Sequence, residues 1–337
     1  MFGLRRRPKA PTEAVDASDA GLRAKAAPDA HGERVNPETL LRRLEWTVIK
    51  RLDGLLHGDY RTLFRGFGLD LADLREYQPN DDVRYIDWNV TARLQVPHVR
   101  EFQEDREVAA WFLLDLSGSV NFGSSSIRKR NLSSELVGTL ARLLTRYGNR
   151  VGALFYGTEV DALLPARAGR LHVLHLLSLM NRPPKMANSE GTDLNVLLRH
   201  ALGFIKRRSV VFVVSDFISK PGWEKSLGQL ARRHEVIAVR LFDPLEVAMP
   251  NLGQIVLQDA ETGEQIFVDT HDKTFRARFA KAAEEREAAL RTSFAAAGVD
   301  CLELATDARV DEALLRFTKL RKRRSQLSAG ASATVVS

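Results

Sequence analysis

The stretch VAAWFLLDLSGSVNFG, residues 108–123, contains both a strand signal and a cluster of polar side chains. Residues 108–114 form an uninterrupted apolar run, which predicts a strand inside a sheet that is covered on both faces. Asp115, Ser117 and Ser119 follow with a D-x-S-x-S spacing. One carboxylate and two hydroxyls are therefore expected at the carboxyl end of a central strand, where open α/β sheets bind their ligands.

The oxygen atoms of these side chains are hard donors, which favour Mg²⁺ or Mn²⁺ over zinc or copper. Asp and Ser are also common turn residues, so the motif alone has a second interpretation as an ordinary turn. Two later stretches favour the metal interpretation. Thr192 opens a helical pattern, and Asp216 directly follows a second apolar run at residues 209–215. The sequence thus predicts a metal site built from Asp115, Ser117, Ser119, Thr192 and Asp216.

Apolar runs and helical patterns alternate after this loop. The alternation predicts an α/β fold with a doubly wound, mainly parallel sheet. A Gly157-Thr158 pair between two runs predicts a hairpin and an antiparallel strand at one sheet edge. A second hairpin is predicted as an insertion at about 244–269. The predicted strands are 108–114, 151–156, 160–164, 209–215, 235–241 and 300–304, and the predicted helices are 132–147, 169–180, 194–205, 223–233, 273–297 and 307–320.

The N-terminal third divides into two predicted parts. Residues 1–35 have no hydrophobic periodicity and are predicted to be a disordered tail. Residues 36–107 are predicted to form an amphipathic helix followed by a smaller β-rich module, with a strand at 84–90. The apolar stripe of the helix fits packing on its own domain or contact with a membrane surface. The charged and aromatic residues of the module fit internal charge pairs or a partner-docking face.

Composition excludes several classes of protein. The chain has 337 residues, 44% hydrophobic and 28% charged, as expected of a globular protein. Its only cysteine is Cys301, which argues against disulfides and thiolate zinc sites. No apolar run is long enough for a transmembrane helix, so we expect a cytoplasmic protein with at most peripheral membrane contact. Residues 321–337 are predicted to be a disordered basic tail. The cations at 319–324 fit a solvated helix end, or contact with phosphates or an anionic membrane.

The order Asp, Ser, Ser, Thr, Asp resembles the metal-ion-dependent adhesion site of von Willebrand factor A domains. In that family the two serines and the threonine contact the metal, and the aspartates act largely through water. The resemblance implies these roles for Ser117, Ser119 and Thr192, and for Asp115 and Asp216. It also implies an open coordination position that takes a carboxylate from an acidic partner, since an ion held by neutral hydroxyls keeps much of its charge.

A longer signature resembles domain-of-unknown-function family 58, whose members carry it ahead of a von Willebrand A-like domain at 108–320 in this chain. The matching stretches are LREYQPNDDVRYIDWNVTAR, VREF and LLDLSGSVNFG. Asn80 and Val120 replace the more usual Gly and Met. Many members have two membrane helices near the N-terminus, which this sequence lacks. The resemblance implies a MoxR-type AAA+ ATPase as partner, and chaperone-like assembly or activation of other proteins.

Other functions are less well supported by the sequence. It has no Walker A loop, no complete dinucleotide fingerprint and no nucleophile elbow. His172 and His175 lie one helical turn apart without a third soft ligand, so surface or packing roles are favoured. We therefore expect a non-catalytic binding protein. The alternatives are a Mg²⁺-dependent phosphoester hydrolase and, through the basic tail, nonspecific nucleic-acid binding.

Overall fold

The computed structural model of the protein describes the chain in ranges separated by gaps. All described residues belong to one compact unit. The predicted tail at 1–35 and the predicted boundary near residue 107 fall in the gaps and stay predictions. The structure describes residues 36–44, 73–78, 86, 88, 91–92, 95–101, 109–123, 128–157, 159–182, 191–258 and 265–333.

Ten strands are found among the described residues. Four of them, Ala109–Asp115, Arg150–Tyr156, Val210–Ser215 and Glu235–Phe242, are rich in Val, Leu, Phe and Ala, which is typical of strands that are buried on both faces. The strands are β1 (Asp73–Glu76), β2 (His98–Glu101), β3 (Ala109–Asp115), β4 (Arg150–Tyr156), β5 (Val160–Arg167), β6 (Val210–Ser215), β7 (Glu235–Phe242), β8 (Gln254–Gln258), β9 (Gln265–Asp269) and β10 (Asp300–Ala305).

A six-stranded sheet has the order β10-β7-β6-β3-β4-β5. All neighbours in it are parallel except β4 and β5, which are antiparallel at one edge. The predicted doubly wound, mainly parallel α/β fold and its antiparallel edge strand are therefore confirmed. The chain passes from β3 outward to β4 and β5 and then returns to β6 on the other side of β3. The strand order consequently reverses between β3 and β6.

Helices cover both faces of this sheet. The helices α1, α2, α3 and α8 pack on one face, and α4, α5 and α7 pack on the other. In the described part of the chain, no helix combines the length and apolar character needed to span a bilayer. The helices are α1 (Pro37–Leu44), α2 (Lys129–Arg146), α3 (Arg170–Met180), α4 (Leu194–Phe204), α5 (Trp223–Arg233), α6 (Pro244–Val247), α7 (Lys273–Ala297) and α8 (Val310–Ala333).

The central strand β3 contributes to both layers of the core. Phe112 and Leu114 belong to the cluster under α2, whereas Trp111 and Leu113 belong to the cluster under α4. Alternate side chains of a strand point to opposite faces, so one strand joins the two layers. Helix α1 joins the first layer through buried leucines, which confirms that its described part packs on its own domain.

The inserted hairpin forms as predicted, whereas the last helix extends beyond its predicted end. Strands β8 and β9 pair in an antiparallel fashion, which confirms the predicted hairpin. The last helix is longer than predicted and runs to Ala333, so the prediction of a disordered segment from residue 321 is wrong up to that residue. Arg321 explains part of the difference, because it forms ion pairs with Glu235 and Asp300 that hold this turn against the sheet edge.

The β-rich character predicted for the N-terminal module is only partly seen. Strands β1 and β2 form a two-stranded antiparallel sheet. The predicted strand at 84–90 is wrong at Trp88, which is helical and exposed, while Ile86 forms an isolated bridge. The alternation there covers only four apolar or long side chains, and so short a pattern does not separate strand from helix. Much of the predicted module lies outside the described residues.

Candidate metal centre

The predicted ligands lie where the strand order of the sheet reverses. Asp115 is the last residue of β3, and Asp216 directly follows β6. These two strands are parallel neighbours, so their carboxyl ends meet at the same edge. In doubly wound sheets the crevice at such a switch point is the usual ligand site. The fold therefore brings two aspartates that are far apart in sequence to a common position.

Asp115 is held by hydrogen bonds to both of its carboxylate oxygens. Oδ1 accepts the backbone N–H of Ser117 at 3.0 Å, and Oδ2 accepts the hydroxyl of Ser215 at 2.6 Å. The side chain is buried, with 1% of its surface exposed. A carboxylate fixed in this way suits a role behind the hydroxyl ligands, because its oxygens are already oriented by the protein. Ser215 was not identified from the sequence.

The two serine hydroxyls of the loop adjoin each other. A short 3₁₀ helix, Gly118–Asn121, turns the chain directly after Ser117. The Oγ atoms of Ser117 and Ser119 are then 3.1 Å apart. Adjacent ligands in an octahedral Mg²⁺ site with bonds of about 2.1 Å are separated by about 3 Å. The spacing of the two oxygens therefore fits a pair of neighbouring magnesium ligands.

Thr192 lies in a loop that is attached to the loop after β6. Its carbonyl oxygen accepts the backbone N–H of Lys220 at 2.9 Å and the hydroxyl of Ser219 at 3.1 Å. The Ser219 Oγ also accepts the backbone N–H of Leu194 at 2.9 Å. Asp193 accepts the backbone N–H of Asn195 and so caps α4.

Asp216 is buried and makes one backbone contact and one ionic contact. Its Oδ1 accepts the N–H of Ile218 at 3.0 Å, and its Oδ2 lies 2.9 Å from the Nζ of Lys129. Phe217, which lies between Asp216 and Ile218, has a backbone φ of 58°. This left-handed conformation is uncommon for a residue with a large side chain. Its buried ring packs edge-on against Phe294, which helps to hold this unusual turn.

Lys129 is the main feature of the site that the sequence did not identify. It is the first residue of α2, and its side chain is completely buried. Its Nζ lies 2.6 Å from Oε1 of Glu246, in addition to its contact with Asp216. A lysine at a helix N-terminus faces the positive end of the helix dipole, so these carboxylates must compensate both that field and the loss of water.

The charges of the site alter its protonation. Burial, and secondarily the nearby Asp216 carboxylate, raise the pKa of Asp115 to about 6, while hydrogen bonds from Ser215 and Ser117 oppose the shift. Burial lowers the pKa of Lys129, but Asp216 and Glu246 outweigh this effect, so the net shift is upward. The three carboxylates exceed the one ammonium in charge. A divalent cation would therefore compensate the remaining negative charge.

The donor set fits magnesium better than a metal that needs several charged or nitrogen ligands. Within the described ranges, no group of three or more His, Cys, Asp and Glu side chains is arranged to hold a metal ion. A site here would depend on the hydroxyls of Ser117, Ser119 and Thr192, with Asp115 and Asp216 behind them. Ser119, in the loop after β3, and Thr192, shortly before α4, line the same cavity, so these two segments lie close to each other.

One member of the histidine pair that the sequence set aside, His172, has a packing role. A ring nitrogen of His172 lies 2.7 Å from the carbonyl oxygen of Val151, which joins α3 to β4. Burial lowers the pKa of His172, which favours the neutral ring in this position. The prediction of a surface or packing role is thus confirmed for His172.

Comparisons with known proteins agree with the signature in the sequence. A family model described as "Protein of unknown function DUF58" matches residues 73–289, which is more than half of the chain. An uncharacterized protein of Mycobacterium tuberculosis is 37% identical over 283 residues, covering 84% of this chain and 89% of that protein. An uncharacterized protein of Mycobacterium avium is 35% identical over 160 residues, covering 48% of this chain and 94% of that protein.

Solved structures with a related arrangement are more distant. The conserved hypothetical protein BatB from Bacteroides thetaiotaomicron has a TM-score of 0.42 and 13% identity, covering 64% of this chain and 99% of that chain. An aerotolerance-related membrane protein from Bacteroides fragilis has a TM-score of 0.43 and 12% identity over the same shares. The family match and the Mycobacterium relatives carry the assignment: the chain belongs to the DUF58 family.

Proposed function

We propose that the protein is a non-catalytic, metal-dependent protein-binding module with a von Willebrand A-like site for Mg²⁺ or Mn²⁺. The observation that carries the proposal is the 3.1 Å separation of the Ser117 and Ser119 hydroxyls beside two buried aspartates. Ser117, Ser119 and Thr192 would hold the ion, and Asp115 and Asp216 would act through water. A divalent ion there would supply a positive charge at the mouth of the sheet.

The expected ligand follows from the charge of the direct contacts. Neutral hydroxyls leave most of the charge of the ion uncompensated, and the aspartate oxygens are already engaged by Ser117, Ser215, Ile218 and Lys129. An acidic side chain of another protein would complete the site. We propose a MoxR-type AAA+ ATPase or an acidic client of it as that protein, in chaperone-like assembly or activation. Because such an ATPase consumes ATP, the proposal includes a cytoplasmic location.

A binding experiment with the purified ATPase tests this proposal. Chelation is not decisive, because the ATPase itself needs Mg²⁺ for ATP, so the Mg²⁺ concentration is held constant and the site is altered instead. Biolayer interferometry should show that the ATPase binds the wild type, and that its affinity is at least tenfold lower for Ser117→Ala. The matched control is Ser178→Ala, which alters an exposed serine on α3. Equal binding by both variants would contradict a role for the metal site.

A Mg²⁺-dependent phosphoester hydrolase is the second candidate. The buried ammonium of Lys129 beside Asp216 favours it, because such a group can stabilise phosphate charge. However, Lys129 is completely buried and bonded to Asp216 and Glu246, so it is not positioned to contact a substrate. Turnover of p-nitrophenyl phosphate that is lost in Asp216→Asn would support a hydrolase, and no turnover by the folded, Mg²⁺-saturated protein would exclude this substrate class.

A further inference from the structure

A cavity of about 600 Å³ adjoins the mouth of the candidate metal centre. Ser119 and Thr192 form part of its lining, so a ligand in the cavity would reach the predicted metal ligands. The other walls come from the loop after β6, from α6, from the β8–β9 hairpin and from α7. The apolar lining includes Ile218, Ile255, Leu257, Ile266 and Phe279.

The inserted hairpin supplies an apolar wall to this cavity. In the antiparallel register, Leu257 lies opposite Ile266, so their side chains point to the same face of the hairpin. Both line the cavity. Val256 lies opposite Phe267 on the other face, and neither lines the cavity. The hairpin therefore has a cavity face and a distinct outer face, which allows matched substitutions on neighbouring residues.

The charges around the cavity favour an anionic ligand. Lys220 and Arg286 line it, and Arg286 donates a hydrogen bond to the backbone carbonyl of Glu246 at 2.9 Å. Glu246 is the one carboxylate among its described lining residues. Both of its oxygens are engaged, since Oε1 contacts Lys129 and Oε2 accepts the N–H of Asp243 at 3.0 Å. The lining thus contains two cationic side chains and one carboxylate whose oxygens both have contacts within the protein.

The apolar surface continues outside the cavity. Ile218 and Ile266 line it, yet they are 40% and 58% exposed. A small molecule inside the cavity would leave this rim in water, whereas a polypeptide laid across the mouth would cover it. Contiguous apolar surface with a polar edge is typical of a protein-binding site. The rim therefore favours a polypeptide over a free fatty acid as the occupant.

We propose that this cavity binds a segment of a partner protein in which an acidic residue adjoins a large apolar residue. The carboxylate lies at the Ser119 and Thr192 end, and the apolar side chain enters the space between the hairpin and α7. This inference rests on the proposed metal-dependent binding and deepens it, because it names the sequence that the site selects. The part of the cavity beside Ser119 and Thr192 selects the acidic residue of the segment, and the face formed by Leu257 and Ile266 selects the adjacent apolar residue.

A peptide array tests this specificity with the full-length protein in Mg²⁺. Each peptide has Gly-Ser flanks around two adjacent positions, and all pairs of the twenty amino acids are represented. The expected result is enrichment of pairs that combine Asp or Glu with Leu, Ile, Met or Phe. Ile266→Glu should reduce binding of these peptides at least tenfold. The control is Phe267→Glu, which places the same charge on the outer face, where the side chain is 83% exposed, and should bind as the wild type does.

The outcomes separate this inference from the proposed function. If acidic–apolar pairs bind and Ile266→Glu abolishes binding while Ser117→Ala and EDTA have no effect, the cavity proposal holds and the metal mechanism fails. If binding requires Mg²⁺ and an acidic residue but does not depend on the neighbouring residue or change in Ile266→Glu, the cavity proposal is overturned and the metal mechanism is retained. It is also overturned if decanoate binds the cavity and no peptide pair is enriched, or if light scattering shows a homodimer that Ile266→Glu dissociates.

Discussion

Lys129 and Asp216 form a buried ion pair, with Nζ 2.9 Å from Oδ2 and side-chain exposures of 0% and 1%. The pair joins the start of α2 to the end of β6. It places an internal positive charge directly behind the candidate metal centre. The Lys129 ammonium and a bound divalent ion would both compensate the negative charge of the carboxylates in the site.

Replacing the ammonium should destabilise the metal-free protein. Lys129→Met keeps the length of the side chain but removes the ammonium from buried Asp216, which lies close to Asp115, and from partly buried Glu246. Removing one partner of a buried ion pair costs about 3–5 kcal/mol of unfolding free energy. Mg²⁺ should recover part of this loss, so the metal-dependent rise in melting temperature should be larger than in the wild type.

Thermal unfolding with Mg²⁺ or EDTA measures this effect. Lys225→Met, which alters an exposed lysine on α5, controls for the loss of one positive charge. A Lys129→Met protein that is as stable as the wild type in EDTA would show that the ion pair does not stabilise the site.

His234 should make the stability of the protein depend on pH. It directly follows α5 and is buried, and neither of its ring nitrogens has a hydrogen-bond partner in the described part of the chain. Burial, with a smaller contribution from Arg233, lowers the pKa of His234 in the folded state. The unfolded histidine, with a pKa of about 6.5, therefore binds its proton at a higher pH than the folded one. Stability should fall as the pH is lowered through and below about 6.5.

Urea unfolding at about pH 7.5 and about pH 5.5 tests this sign. The loss of unfolding free energy between the two pH values should be smaller in His234→Leu than in the wild type. His175→Leu, at an exposed position on α3, serves as the matched control. An unchanged difference in His234→Leu would show that His234 does not cause the pH dependence.

A side chain at Gly152 should destabilise the protein, because Trp111 occupies the space beside it. The two residues are partners in adjacent parallel strands, and a Cβ at Gly152 would lie 2.6 Å from the Trp111 ring. Overpacking of this kind costs about 1–3 kcal/mol. Gly152→Ala should lower the unfolding free energy by that amount in urea. Gly203→Ala on α4 is the control, since a Cβ at that position meets nothing within 4 Å. Equal losses of unfolding free energy in the two variants would contradict the steric explanation.

Periodicity was sufficient to predict most of the sheet and its helices. The bounds predicted for α5 and α7 agree with the structure, because amphipathic spacing ends at clear signals such as Gly298, which has a φ of 66°. Asp115 and Asp216 could be placed at one edge because each follows a buried apolar run. Parallel neighbours necessarily bring such residues together.

Lys129 could not be identified in this way. It lies between Arg128 and Arg130, and nothing local distinguishes the one cation of the three that is fully buried. Its partners Asp216 and Glu246 are 87 and 117 residues away. Their proximity depends on the completed sheet and on α6. The cavity was likewise hidden, because its walls come from loops, the hairpin and α7, which meet only in the folded chain.

The most direct test of the central claim is thermal unfolding of the wild type and of Ser117→Ala, each in Mg²⁺ and in EDTA, with Ser178→Ala as the control. Mg²⁺ at about a hundred times its dissociation constant should stabilise the wild type and the control by about 2.7 kcal/mol, since the ion binds the folded state. No such stabilisation is expected in Ser117→Ala. A wild type that Mg²⁺ does not stabilise, or equal stabilisation of Ser117→Ala, would contradict a metal site at this loop.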